Sequence, residues 1–268
     1  MTTRRASPRV DVRLLGRLDV AVRGRAIRIP GRQAQALFAL LAIDRHLRSR
    51  DCLAATLWPD VEASAASLRQ TLWLVRGAFA AADVDPGGLF VIEPESVGLR
   101  PDAPVRLDSE QFEALLKGQP PNPESAIGLY RGDLAEGLGH DCFAAEQERL
   151  SDLYEDALAL VAQRRLAVDD FEGARDAANR LLSRDVLREE GHAALIAYYG
   201  AQGTRSQVVR QYRRLREILN RELEVDPLPE TEVAYRAAMT RAVADSHRRA
   251  TSEAFLPRPF TPTLVAQG

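Results

Sequence analysis

The chain begins with an alternating pattern. Over 12–29 (VRLLGRLDVAVRGRAIRI) apolar and polar positions exchange around Leu18-Asp19 and Arg23-Gly24, which predicts short antiparallel strands ended by Pro30-Gly31. The period then changes. Residues 33–43 (QAQALFALLAI) have helical apolar spacing, Ser49 is placed to cap a helix over 50–58, and Pro59 stops it. A third helix is predicted over 64–80, where Leu68, Leu72, Val75 and Phe79 recur at i, i+4, i+7 and i+11 as one apolar stripe. Ala66, Gln70, Trp73, Leu74 and Gly77 fall opposite that stripe, with Ser67 and Arg69 at edges and Arg76 nearer the core.

After Pro86-Gly87-Gly88, 89–92 (LFVI) and 97–99 (VGL) read as a hairpin around Glu93-Pro-Glu-Ser96. Strands, three helices and a hairpin in that order make a winged helix, the helix-turn-helix variant whose third helix enters the major groove. Asp108-Ser-Glu-Gln111 looks like a capping box that starts a helix ending near Lys117. Gln119-Pro-Pro-Asn-Pro123 is the best linker, and the domain boundary is placed there.

From Ala144 onward the pattern is almost entirely helical, with breaks at 168–170, where the Asp169-Asp170 pair is placed to cap the next helix, and at 183–185, 200–204 and 226–229. A shift of 34 residues pairs Ala174 with Val208, Ala178 with Tyr212 and Leu181 with Leu215, the spacing of tetratricopeptide-like helical hairpins. The expected fold is therefore mostly α with a small β component. A winged helix-turn-helix over 12–117 is followed by an all-α repeat domain over 118–245, a protein-binding or dimerising unit. Residues 1–11, with Arg4 and Arg5, read as a flexible basic arm, and 246–268, with Pro257, Pro259 and Pro262, as a disordered tail.

Charge sharpens this picture. Residues 1–80 hold 14 Arg against 6 acidic residues, a balance of +8, whereas the whole chain is −2 and the remainder −10. A basic first part joined to an acidic second points to a polyanion at one end. Arginine richness alone says less, because Lys117 is the sole lysine. No run of about 18 apolar residues and no apolar leader is present, so a cytoplasmic protein without membrane contact is expected.

Chemistry other than binding finds no residues to carry it. Cys52 and Cys142 lie far apart and read as buried free thiols. His140-Asp141-Cys142 reads as a loop, since consecutive side chains diverge. With no GxSxG, HExxH or GxGxxG, no enzyme, cofactor or metal site is expected.

The candidate site is thus a DNA interface. On the third helix Gln70 suits bidentate pairing with adenine, Arg69 a guanine or phosphate, Ser67 a phosphate and Trp73 a sugar or thymine methyl, with Arg76 beside them. Arg32, Arg48, Arg50 and Arg100 of the wing are candidate phosphate ligands. The alternative is a helical-repeat adaptor or sensor in which the winged helix serves protein contacts through Trp73.

Several separated motifs resemble one family. Ser49-Arg-Asp-Cys-Leu53, Leu57-Trp-Pro-Asp60, Ser67-Leu-Arg-Gln70 and Val75-Arg76 resemble the DNA-binding domain of SARP-type (antibiotic regulatory protein) bacterial transcription activators. Tyr130-Arg-Gly-Asp-Leu134, Ala145-Glu-Gln-Glu-Arg-Leu150, Leu187-Arg-Glu-Glu-Gly-His192, Gln211-Tyr212, Glu222-Leu-Glu-Val-Asp-Pro227 and Pro229-Glu-Thr231 resemble the bacterial transcriptional activator domain that follows it there. The resemblance runs from about Val12 to Ala238. It implies an activator that binds direct repeats in double-stranded DNA near promoters, as a homodimer through its helical domain, and that contacts RNA polymerase. Relatives commonly carry basic residues where this chain has Ala65, Leu74 and Gly77, and Trp where it has Phe143.

Overall fold

The structure, a computed structural model, describes residues 8–59 and 64–254, with 245–254 described by backbone alone. The chain divides into two compact units, the first ending at Ala157 and the second starting at Leu158.

In the first unit β1 (Val10–Arg13), β2 (Asp19–Val22) and β3 (Arg25–Ala26) form the alternating segment. Val10, Val12, Val20 and Val22 point into the core while Arg13 and Asp19 face out, the period of two that the sequence displays. Val22 pairs with Arg25 across a two-residue turn in which Arg23 and Gly24 both have positive φ, the conformation that a tight hairpin of right-handed twist requires. Next come α1 (Arg32–Ile43), β4 (Arg48–Ser49), α2 (Arg50–Leu57), α3 (Ser64–Ala80), β5 (Phe90–Ile92) and β6 (Ser96–Leu99). The expected helices and wing are present, and the Ser49 hydroxyl accepts the Cys52 N–H as the predicted cap of α2.

Two strands escape the sequence pattern. The wing gains β4, which pairs antiparallel with β6, and there a Cβ added at Gly98 would lie 2.9 Å from the His46 carbonyl. A further strand, β7 (Val105–Leu107), pairs parallel to β1 and completes a sheet of order β3-β2-β1-β7.

The expected boundary at 119–123 is displaced. That stretch is the turn between α4 (Asp108–Lys117) and α5 (Pro123–Leu129), which pack together, and Asn122 caps α5 by accepting the Ser125 N–H. Beyond it, Leu134 bridges Leu15, the Ala135 N–H donates to Leu14 O at 2.8 Å, and the Tyr130 ring stacks on Tyr154 at 4.0 Å. The division falls inside α6 (Ala144–Ala167) because these pairings bind 130–154 into the first unit. The capping box also resolves differently. Leu107 occupies the cap position, and buried Asp108 instead accepts the N–H groups of Leu14 and Leu15 at 2.7 and 3.1 Å. Burial pushes its carboxyl above the usual range against the pull of those N–H groups.

The second unit continues with α7 (Phe171–Arg184), α8 (Glu189–Ala201), α9 (Arg205–Leu223) and α10 (Pro229–Ala254). Asp170 caps α7 through the Gly173 N–H, as the sequence predicts. The central helix α8 packs against α7, α9 and α10. Ala174, Ala178, Leu181, Val208 and Leu215 from the 34-residue pairing are all buried, and Tyr212 packs on the cluster of Ile196, Val208 and Ala238.

Three expectations shift at the margins. Cys52 is exposed and Cys142 half-buried, because Cys52 lies on the first turn of α2 outside its apolar stripe. β1 begins at Val10, inside the expected arm, while Arg4 and Arg5 lie outside the described residues. α10 continues to Ala254, into the expected tail, since 246–254 contains no proline; Pro257, Pro259 and Pro262 lie outside the described residues.

Candidate nucleic-acid interface

The buried stripe of α3 fixes what its other side presents. Leu68, Leu72, Val75 and Phe79 are buried, as is Thr71. Phe79 lies 5.2 Å from Phe38 of α1 and 5.7 Å from Phe90 of β5, ring centre to ring centre. One aromatic cluster therefore holds α3 against both α1 and the wing, each contact adding about 0.5–1.5 kcal/mol beyond burial.

Outward, α3 presents Ala65, Ala66, Arg69, Gln70, Trp73, Arg76, Gly77 and Ala80, and Trp73 is 70% exposed. Arg76, expected nearer the core, shares this face with Arg69, Gln70 and Trp73; Ser67 and Leu74 lie half-buried on its flank. Arg69, Gln70 and Arg76 make no ion pair or side-chain hydrogen bond among the described residues. A protein helix that keeps two guanidinium groups, an amide and an indole in solvent leaves their donors available to a partner.

The expected phosphate ligands are placed differently. Arg48 pairs with Asp44; burial would push that carboxyl up, but hydrogen bonds from His46 and Arg48 hold it below the usual range. Arg50 donates through Nε to Glu93 O at 3.0 Å and through its backbone N–H to Glu95 O at 2.9 Å, tying α2 to the wing. Arg100 pairs with Asp102 at 2.9 Å. Arg32 stands beside Gly139 and His140, where burial and then its own charge hold the imidazole below its ordinary value. The structure thus brings Arg69, Gln70, Trp73 and Arg76 together and engages Arg48, Arg50 and Arg100 internally, while Arg32 stays exposed. Sequence reasoning also passed over the acids at the wing tip. Glu93 and Glu95 are both exposed there, and their place in a predicted turn was the available signal.

Residues 107–239 match the family described as the bacterial transcriptional activator domain. The chain carries a bacterial transcriptional activator domain. The domain begins at β7 and runs past the division at Ala157, so the chain's structural units and its family domain overlap without coinciding. A solved structure of Mycobacterium tuberculosis EmbR in complex with a low-affinity phosphopeptide is similar to it, with 21% identity, a TM-score of 0.68, and coverage of 91% of this chain and 71% of that one. That likeness is one of fold. No curated protein sequence matches the chain.

The activator-domain motifs of this chain serve packing. Glu189 accepts the Leu228 N–H at 2.9 Å, His192 donates to Val186 O and accepts from Gln211, and Tyr212 stacks on Tyr235 at 4.2 Å. Among the described residues no cluster of three His, Cys, Asp or Glu stands ready for a metal, and no helix is long and apolar enough to cross a membrane.

Proposed function

We propose that this chain binds DNA sequence-specifically through α3 and activates transcription at neighbouring promoters. The observation that carries the reading is the outward face of α3: Arg69, Gln70, Trp73 and Arg76 together, without partners among the described residues, on a helix clamped by Phe38 and Phe90. In the major groove the Gln70 amide pairs with adenine, Arg69 takes a guanine edge or a phosphate, Arg76 a phosphate, and Trp73 packs on a thymine methyl or sugar. Following the family resemblance, the site is a direct repeat, the chain binds as a dimer through its helical domain, and RNA polymerase is the protein partner.

Gel-shift titration on the region upstream of its own gene, beside a random-sequence competitor, tests this. Gln70→Ala is expected to lose about 1–3 kcal/mol of discrimination. Arg69→Ala is expected to weaken binding with an unchanged melting temperature, because its side chain has no partner among the described residues. Equal wild-type affinity for the upstream and random duplexes would sink the reading.

A second reading rests on Trp73 itself. Its neighbours Ala66 and Gly77 are small and neutral, and the wing tip is acidic, a surface suited to a protein partner with an aromatic anchor. Under that reading Trp73→Ala abolishes partner capture while DNA binding, if measurable, stays as it was.

A further inference from the structure

The acidic excess of the chain is not spread over everything beyond residue 80. Residues 81–157 carry 17 acidic and 5 basic residues, whereas 158–268 carry 15 acidic and 17 basic, a net +2. Within this second unit α9 contains six arginines and two glutamates, so this helix alone outweighs the excess.

The arginines share one side of it. Val208, Leu215, Ile218 and Leu219 are buried, and Arg205, Arg210, Arg213, Arg214, Arg216 and Arg221 are all exposed. Arg216 lies 3.6 Å from Asp226, and Arg221 pairs with Glu222. The side chains of Arg205, Arg210, Arg213 and Arg214 have no ion pair or hydrogen bond among the described residues. From Arg205 to Arg221 the stripe is about 24 Å long at the usual helical rise. Glu217 is the one acid that the stripe encloses.

We infer that this face of α9 is a second DNA-contacting surface, one that holds the phosphate backbone without reading sequence. The inference rests on the DNA-binding reading above and extends it to the activator domain. The chemistry of the face selects the partner. Apart from half-buried Val209, the side chains among the arginines are Ser206, Asn220 and Glu217, and the exposed Leu223 lies beyond the last of them, so no aromatic or large aliphatic group sits within the stripe to anchor a protein. Cations interspersed with a hydroxyl and an amide are what phosphate oxygens take.

Fluorescence anisotropy of the full chain, between 50 and 200 mM salt, tests the surface. The probes are a duplex from the region upstream of its own gene and one of random sequence and equal length. Replacing three cations by R210A, R213A and R214A together is expected to reduce the slope of log K against log salt by about 2 to 3, near 0.9 per lost phosphate contact, on both duplexes. The ratio of specific to random affinity stays as in the wild type. The matching lysine variant, R210K, R213K and R214K, is expected to restore the slope, since phosphate contact needs the charge and not the guanidinium shape. Wild-type slope in the alanine variant, with the wild type binding DNA, overturns the inference and leaves α3 as the reader. A wild type that binds without preferring the upstream duplex overturns the α3 reading alone, and one that binds neither duplex overturns both.

Discussion

At the scale of single residues, His192 has no unused nitrogen. Its ring is buried, and in the tautomer that satisfies both neighbours Nε2 donates to Val186 O at 2.9 Å while Nδ1 accepts from Gln211 at 2.8 Å. Burial, aided by Arg214, holds the imidazole below its ordinary value against the opposing pull of the Val186 carbonyl and Glu189. The folded state therefore resists a proton that the unfolded chain accepts. The stability from neutral His192 is complete above the ordinary imidazole value of about 6.5 and is lost as pH falls below it towards the depressed folded value. The urea midpoint is expected to be lower at pH 5.5 than at pH 7.5, and His192→Gln is expected to shrink that difference; an equal difference in both proteins would remove the histidine as its source. Residues whose role is local were legible in advance. Ser49 and Asp170 cap their helices because a cap needs only the next three residues. Asp108 was not, since the N–H groups it accepts belong to Leu14 and Leu15, 94 and 93 positions away.

Among elements, the close approach of α8 to α10 turns on one position. A Cβ added at Gly200 would lie 2.8 Å from the Ala238 Cα, with backbone on the far side and nothing flexible to yield. On an open helix glycine to alanine gains about 1 kcal/mol, but overpacking costs about 1–3 kcal/mol. Gly200→Ala is therefore expected to lower the melting temperature. Gly77 on α3 provides the opposite case, with nothing within 4 Å of an added Cβ, and Gly77→Ala is expected to raise it. The same contrast of open and packed faces explains what the sequence revealed about elements. Long helices announced themselves because the 3.6-residue period repeats along them, and the buried stripe of α3 left its outward face legible by subtraction. β7 spans only Val105–Leu107, too short for a period, and its partner β1 lies at the other end of the unit. The internal pairing of Arg48, Arg50 and Arg100 was hidden too, because side-chain pairs across a fold leave no periodic trace, although the spacing of Asp44 and Arg48 was a local hint.

For the whole molecule, the cut at 119–123 is where composition and packing part company. Prolines mark a turn, and here the turn joins two helices of one compact unit. A chain ending at Lys117 loses the Leu134 bridge, the Ala135 bond to Leu14 and the Tyr130–Tyr154 stack, and it uncovers the fully buried Phe112. Exposing such side chains costs about 1.5–3 kcal/mol each. The fragment 1–117 is expected to unfold at lower urea than 1–157, or without a cooperative transition; matching midpoints would restore the boundary that the prolines marked. A ribosome releases the chain from its amino end at roughly 5–20 residues per second. The edge at Leu14–Gly16 waits, unzipped, until Asp133–Glu136 has emerged to close it. The first unit is thus finished only by its own last stretch, so a message cut short before Asp133 leaves the unit that bears α3 incomplete.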